Sequence, residues 1–205
     1  MPSPAAPSIP SGNLLRRFRR NRSASAAVEF ALVAPVFFAL LFAIIETALM
    51  FFASQVLETI TQDSARVLMT GQAQSGQVGT CADPVSGTPA ACTQATFKNY
   101  VCSQIPGLFD CNGANGIFVD VQSYPQFTNV VINNQIDPSG NFVNNVQYNP
   151  GGACAIVVVR LFYQWPLFVT GLGYNIANMA GSKRLLSATA AFRNEPYSSG
   201  SCPTS

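Results

Sequence analysis

The dominant feature of the hydrophobic pattern is a nearly unbroken apolar run over residues 24–53, ASAAVEFALVAPVFFALLFAIIETALMFFA, in which Glu29 and Glu46 are the charged positions. About 20 apolar residues cross the hydrocarbon of a bilayer. A span starting just after Arg22 ends near Ile45 and brings Glu46 out at the outer interface. It leaves Glu29 roughly 10 Å inside the inner half, at the helical rise of 1.5 Å per residue. A carboxylate there costs a few kcal/mol unless it is protonated, reaches the interface or meets a cation. The alternative is a span shifted outward, with both glutamates at the boundaries and a slightly thinned bilayer. Pro35 inside the run removes a helix hydrogen bond and predicts a kink.

Beyond the run the period changes. Ala53, Val56, Leu57, Ile60, Ser64, Val67 and Leu68 recur at helical spacing, with Glu58, Thr61, Gln62, Asp63 and Arg66 between them. This predicts that the helix continues, now amphipathic, to about Met69 and stops at Gly71. Its apolar stripe is expected to wall the core of an outer domain. Residues 72–95 are rich in Gly, Ser, Thr, Pro and Gln and read as loop. TFKNYVCSQI over 96–105 reads as a short helix ending before Pro106.

The remainder reads as β-structure. GIFVDVQSY over 116–124 alternates as a half-buried strand, with Ile117, Val119 and Val121 on one face and Asp120 and Gln122 on the other. Residues 129–136 form a weaker strand, Asp137-Pro138-Ser139-Gly140 a turn, and residues 142–148 a return. ACAIVVVRLFYQW over 153–165 is the strongest strand and is expected to be central. Residues 167–179 are an apolar, Gly-interrupted excursion, read as a short helix or a membrane-facing loop. KRLLSATAAFR over 183–193 is the last strand, and the tail is polar apart from Cys202. The expected fold class is α+β: a long N-terminal transmembrane and amphipathic helix (25–71) packed on a mainly antiparallel, disulfide-bearing sheet domain (72–205), after a cytoplasmic leader (1–24).

Charge fixes the expected orientation. Arg16, Arg17, Arg19, Arg20 and Arg22 precede the apolar run with no acid among them, although the whole chain nets only +2. The positive-inside rule keeps that end in the cytoplasm and sends the domain outward. Membrane lipid is therefore a partner. The folded domain has only scattered bases, which argues against nucleic acid. Residues 1–13 are Pro-, Ser- and Ala-rich and read as disordered. The six cysteines, Cys81, Cys92, Cys102, Cys111, Cys154 and Cys202, all follow the run. That placement points to disulfides in an oxidising compartment. The pairing chosen among 15 connectivities is Cys81–Cys92, Cys102–Cys111 and Cys154–Cys202.

The chain has no histidine. Ser-His-Asp triads, Cys-His dyads and His-based zinc sites are excluded, and no nucleotide-phosphate motif is present. An acid pair drawn from Asp110, Asp120 and Asp137 would permit a secreted hydrolase, but each reads more simply as a loop or solvent-face residue. The expectation is no enzyme, no cofactor, no metal site and no small-molecule substrate.

The constellation at the head of the run carries the sharper reading. Small residues Ser23 to Ala27 separate the arginines from Glu29 and Phe30, as in the class III signals of type IV pilin-like proteins. Ala26-Ala27-Val28-Glu29-Phe30-Ala31-Leu32-Val33 with Pro35 resembles the N-terminal motif of TadE-like proteins, minor pseudopilins of the tight-adherence (Flp) pilus system. Ala65-Arg66 with Gly71, and Ala190-Ala191-Phe192-Arg193-Asn194-Glu195-Pro196, are similar to further features of that family. The resemblance implies cleavage by a prepilin peptidase between Ala24 and Ser25, which makes Glu29 the fifth residue of the mature chain. Ala24 stands where the family usually has glycine. It also implies assembly with other pilins and pseudopilins through the apolar helix, with Glu29 meeting the freed amine of a neighbouring subunit, and Phe30 in place of the major pilin's tyrosine. Localisation would be the inner membrane, single-pass, with a periplasmic C-terminal domain and possible incorporation into a surface pilus. The competing reading is an uncleaved, membrane-anchored periplasmic binding or adhesion module.

Overall fold

The computed structural model describes residues 22–82, 87–105, 107–113, 116–169, 174–197 and 202, with side chains from residue 26 onward. Of the expected leader, 1–24, residues 1–21 lie outside them and residues 22–24 belong to the first helix. Helix α1 spans Arg22–Met69. The chain divides into two compact units, residues 1–45 and 46–205, taken here one at a time.

In the first unit α1 is apolar on all sides. Val28, Phe30, Leu32, Phe37, Leu40 and Ile44 are all exposed. The helix is long and apolar enough to cross a membrane, with a mean hydropathy of 2.6 over its most apolar stretch. It continues through Pro35, whose missing N–H leaves the Ala31 carbonyl without its usual intrahelical donor.

The second unit is α+β. Strands β1 (Phe118–Tyr124), β2 (Ile156–Pro166) and β3 (Lys183–Arg193) form one antiparallel sheet in the order β1-β2-β3. The expected central strand is therefore central. Its residues from Ile156 to Tyr163 are buried, as a β-branched and aromatic strand flanked on both edges should be. The register pairs Val119 with Leu161 and Leu161 with Ala188, so one face of the sheet is apolar across all three strands. That face and the α1 stripe Ala53, Leu57, Ile60 and Leu68 belong to one core. Each fully buried leucine or isoleucine contributes about 1.5–3 kcal/mol. Helix α2 (Gln94–Ser103) adds Phe97 and Val101 to the same core. It starts two residues before the expected helix because Thr93 and Thr96 close a reciprocal capping box.

Several expectations need correction. Residues 129–136 and 142–148 are not strands. After a 3-10 turn (Phe127–Asn129) they run irregularly, with isolated bridges at Ile136↔Phe142 and Val121↔Tyr148. This segment is dense in asparagine, and local bonds such as Asn134 Oδ1 accepting from the Ile136 N–H compete with a ladder. Thr61, assigned to the polar side of α1, is fully buried, and its hydroxyl donates to the Leu57 carbonyl at 2.7 Å. Asp120, assigned to a solvent face, is buried too. The turn at Asp137 forms as expected: the Gly140 N–H donates to the Asp137 carbonyl at 2.9 Å, and Gly140 has φ +81°.

The cysteines pair as Cys81–Cys92, Cys102–Cys111 and Cys154–Cys202, the pairing expected above. Cross-links of this kind typically stabilise by about 2–4 kcal/mol. They lie where the core is thinnest, on the loop before α2, on the turn after it and on the tail.

The end of α1 meets the end of the chain. Gly71 (φ +77°) forms a Schellman stop, with the Gly71 N–H on the Leu68 carbonyl and the Gln72 N–H on the Val67 carbonyl. The Met69 carbonyl accepts from the Glu195 N–H at 2.8 Å. Asn194 is buried and donates from Nδ2 to the carbonyls of Pro150 (3.0 Å) and Gly152 (2.9 Å). The Tyr197 ring lies where a Cβ on Gly71 would stand. The two stretches Ala65-Arg66…Gly71 and Asn194-Glu195-Pro196, distant in sequence, thus close on one another. Gly71→Ala is expected to lower stability by about 2–4 kcal/mol, from the left-handed backbone and the displaced ring together. Denaturant unfolding of the full chain in detergent checks this.

Tyr148 packs on Phe97, ring centroids 5.5 Å apart, and its hydroxyl is buried without a hydrogen-bond partner among the described residues. Burial raises its pKa far above the ordinary tyrosine value. The folded state therefore holds a proton that the unfolded chain releases above about pH 10. This contribution to stability is complete below that pH and is lost as pH rises toward the folded-state value. Tyr148→Phe is expected to remove that alkaline loss at little cost near neutrality, read from unfolding midpoints across a pH series.

Candidate assembly site

Ala24 and Ser25 lie in the first turn of α1. Glu29 and Phe30 follow one turn later, both exposed, with Phe30 at 69%. From Glu29 to Ile45, Glu29 is the one charged residue. Its carboxylate therefore projects from an otherwise apolar surface, about two turns after Arg22. Chemically this arrangement can attract a cation in a medium of low dielectric.

Residues 24–66 match the family of TadE-like proteins. Over that stretch, about a fifth of its length, the chain is similar to TadE-like proteins. The match begins at the expected cleavage position and ends at Arg66, within α1. The sheet, the disulfides and the stretch from Ala190 to Pro196 all lie outside it. No curated protein and no solved structure shows a significant match to the chain.

The three acids weighed for catalysis are each engaged locally. Asp110 Oδ1 accepts from the Asn112 N–H at 2.9 Å, and Asp137 Oδ1 accepts from the N–H groups of Ser139 and Asn141. Asp120 makes a buried ion pair with Arg160. Arg160 reaches its Oδ2 from Nη2 at 2.6 Å and from Nε at 2.9 Å. Oδ1 accepts from the Gln147 N–H at 2.8 Å, and the Gln122 amide donates to both oxygens. Arg160 also donates to the Asn133 carbonyl. Asp120 on β1 and Arg160 on β2 are register partners. The pair thus ties the irregular segment around residues 133–147 to the far face of the sheet. Alternation alone placed Asp120 on that face correctly but could not show that the segment covers it.

Glu46 is engaged within the protein. It is 7% exposed rather than open at an interface, and its carboxylate accepts from the backbone N–H groups of Phe168 and, at 3.0 Å, Val169. The next residue, Thr47, shares a short hydroxyl contact with Tyr174. Part of the expected 167–179 excursion is thereby pinned to the helix. Residues 170–173 lie outside the described set. A shallow cleft of about 280 Å³ between α2 and β1 is lined by Lys98, Gln94 and Asn144 together with apolar residues such as Ile117 and Val119. No cluster of three or more metal-ligating side chains occurs among the described residues.

Removing one member of the buried pair leaves the other charge stranded. Asp120→Ala or Arg160→Ala is expected to cost about 3–5 kcal/mol. Replacing both by apolar residues of similar volume is expected to recover most of that loss, read from paired unfolding curves as a double-mutant cycle.

Proposed function

We propose that this protein is a minor pseudopilin that takes part in assembling a tight-adherence pilus. The observation that carries the proposal is the TadE-like match over residues 24–66, coincident with an exposed apolar helix that holds a single carboxylate near its start. In this reading the arginines keep the N-terminus in the cytoplasm, the helix anchors the chain in the inner membrane, and the disulfide-bearing domain stands in the periplasm. A prepilin peptidase cuts between Ala24 and Ser25.

The cut explains Glu29. It frees an ammonium group at Ser25, and in an assembled array the Glu29 carboxylate of one subunit meets the Ser25 amine of its neighbour. Two charges that are each costly in hydrocarbon then neutralise each other. Phe30 packs beside that contact, and Pro35 kinks the helix one turn later. Subunits associate through the apolar helix, with no catalytic step in the chain itself.

The test is the mature N-terminus. In cells with an active prepilin peptidase, mass spectrometry is expected to find Ser25 as the first residue. A chain intact through Arg22 would instead favour the uncleaved, anchored binding or adhesion module. If cleavage holds, Glu29→Ala is expected to leave processing intact and to reduce pilus number at least tenfold, because about 1.4 kcal/mol per contact is already a factor of ten. Counting pili by electron microscopy checks it.

A further inference from the structure

Exposed apolar surface does not end at Glu46. Leu49, Phe51 and Phe52 of α1 are 51%, 62% and 59% exposed, and Phe168 on the pinned segment is 84% exposed. Leu167 beside it is buried at 7%. The backbone is therefore held in place while the Phe168 ring is turned outward. We propose that Phe168, together with Leu49, Phe51 and Phe52, lies in the hydrocarbon of the bilayer's outer leaflet, with Glu46 as the pin that holds Phe168 there. The inference rests on the anchored reading of α1 given above.

Three observations favour lipid as the occupant. The first is continuity. Leu49, Phe51 and Phe52 belong to the same apolar run, and Phe168 is held beside it by Glu46. The second is charge. A bare carboxylate is costly in hydrocarbon. Both Glu46 oxygens already accept backbone N–H groups, from Phe168 and Val169. The same contact satisfies two loop donors that could not otherwise remain in a dry environment. The third is the distribution of exposure. At about 100° per residue, Phe51 projects roughly 140° away from Glu46 around the helix, whereas Phe168 lies on Glu46's own side. A partner helix covers one face; lipid covers all of them. Tyr174, held at Thr47, adds an aromatic residue with a polar tip at the same level, as membrane interfaces favour.

The test uses the full chain reconstituted in phospholipid vesicles. Phe168→Trp in a Trp165→Phe background gives one tryptophan reporter, because Trp165 is the chain's only tryptophan. Nitroxide-labelled lipids, with the label near the headgroup end of the acyl chain or on the headgroup itself, read its depth. The expected result is loss of most emission with the acyl-chain label and weaker quenching with the headgroup label. Glu46→Ala in the same background is expected to abolish that preference, and unchanged depth would overturn the role of Glu46. A chain that floats with vesicles while its reporter is unquenched by either label leaves the anchor intact and overturns this inference. That holds equally if the reporter is shielded by a second copy instead of lipid. A chain that fails to float overturns both the anchor and this inference.

Discussion

Burial of one stripe of α1 is the constraint on which the second unit depends. Leu57 and Leu68 are fully buried, with Ala53 and Ile60 beside them in the core shared with the sheet. The same helix, three turns earlier, is apolar on every side. One continuous element thus carries two hydrophobic patterns, each suited to a different surrounding: one-sided where protein covers it, all-round where it is exposed. A three-stranded sheet offers few core residues of its own, so the stripe is a structural necessity for the domain.

The helix must also be stopped and held at the right point, and the C-terminal segment does this. Gly71 turns the chain, Glu195 satisfies the open Met69 carbonyl, and Asn194 ties down the loop leading to β2. These are backbone contacts with little tolerance for added volume. They give a physical reason for the particular residues found in two stretches more than a hundred positions apart. The Cys154–Cys202 bond secures the same end of the chain covalently.

The charged residues divide along similar lines. Asp120 and Arg160 are spent on specifying how an irregular, asparagine-rich segment covers the sheet. Glu46 is spent on a backbone loop. Glu29 alone, among the acids of the apolar run, is exposed with its use inside the subunit unaccounted for. That contrast supports a role between subunits, and it is the reason the assembly reading centres on this residue.

By itself the sequence determined the long helix, its stop at Gly71 and the central and last strands, and it favoured the near cysteine pairs Cys81–Cys92 and Cys102–Cys111, 11 and 9 residues apart. Each is written in local terms, in unbroken apolar length, a residue tolerant of positive φ, β-branched runs and short spacings. Cys154–Cys202, 48 apart, was one choice among several. The TadE-like motif was also legible, because it occupies contiguous positions. What only the tertiary structure decided were the partners of polar side chains. Asp120 lies on the predicted face yet is buried, Thr61 turns inward, Glu46 meets Phe168 and Val169, and residues 129–136 and 142–148 drape over the sheet instead of joining it. Burial of a polar group depends on what lies above it, and here the hydrogen-bond partners of Asp120, Arg160 and Glu46 come from segments 27 to 123 residues away, which no local pattern encodes.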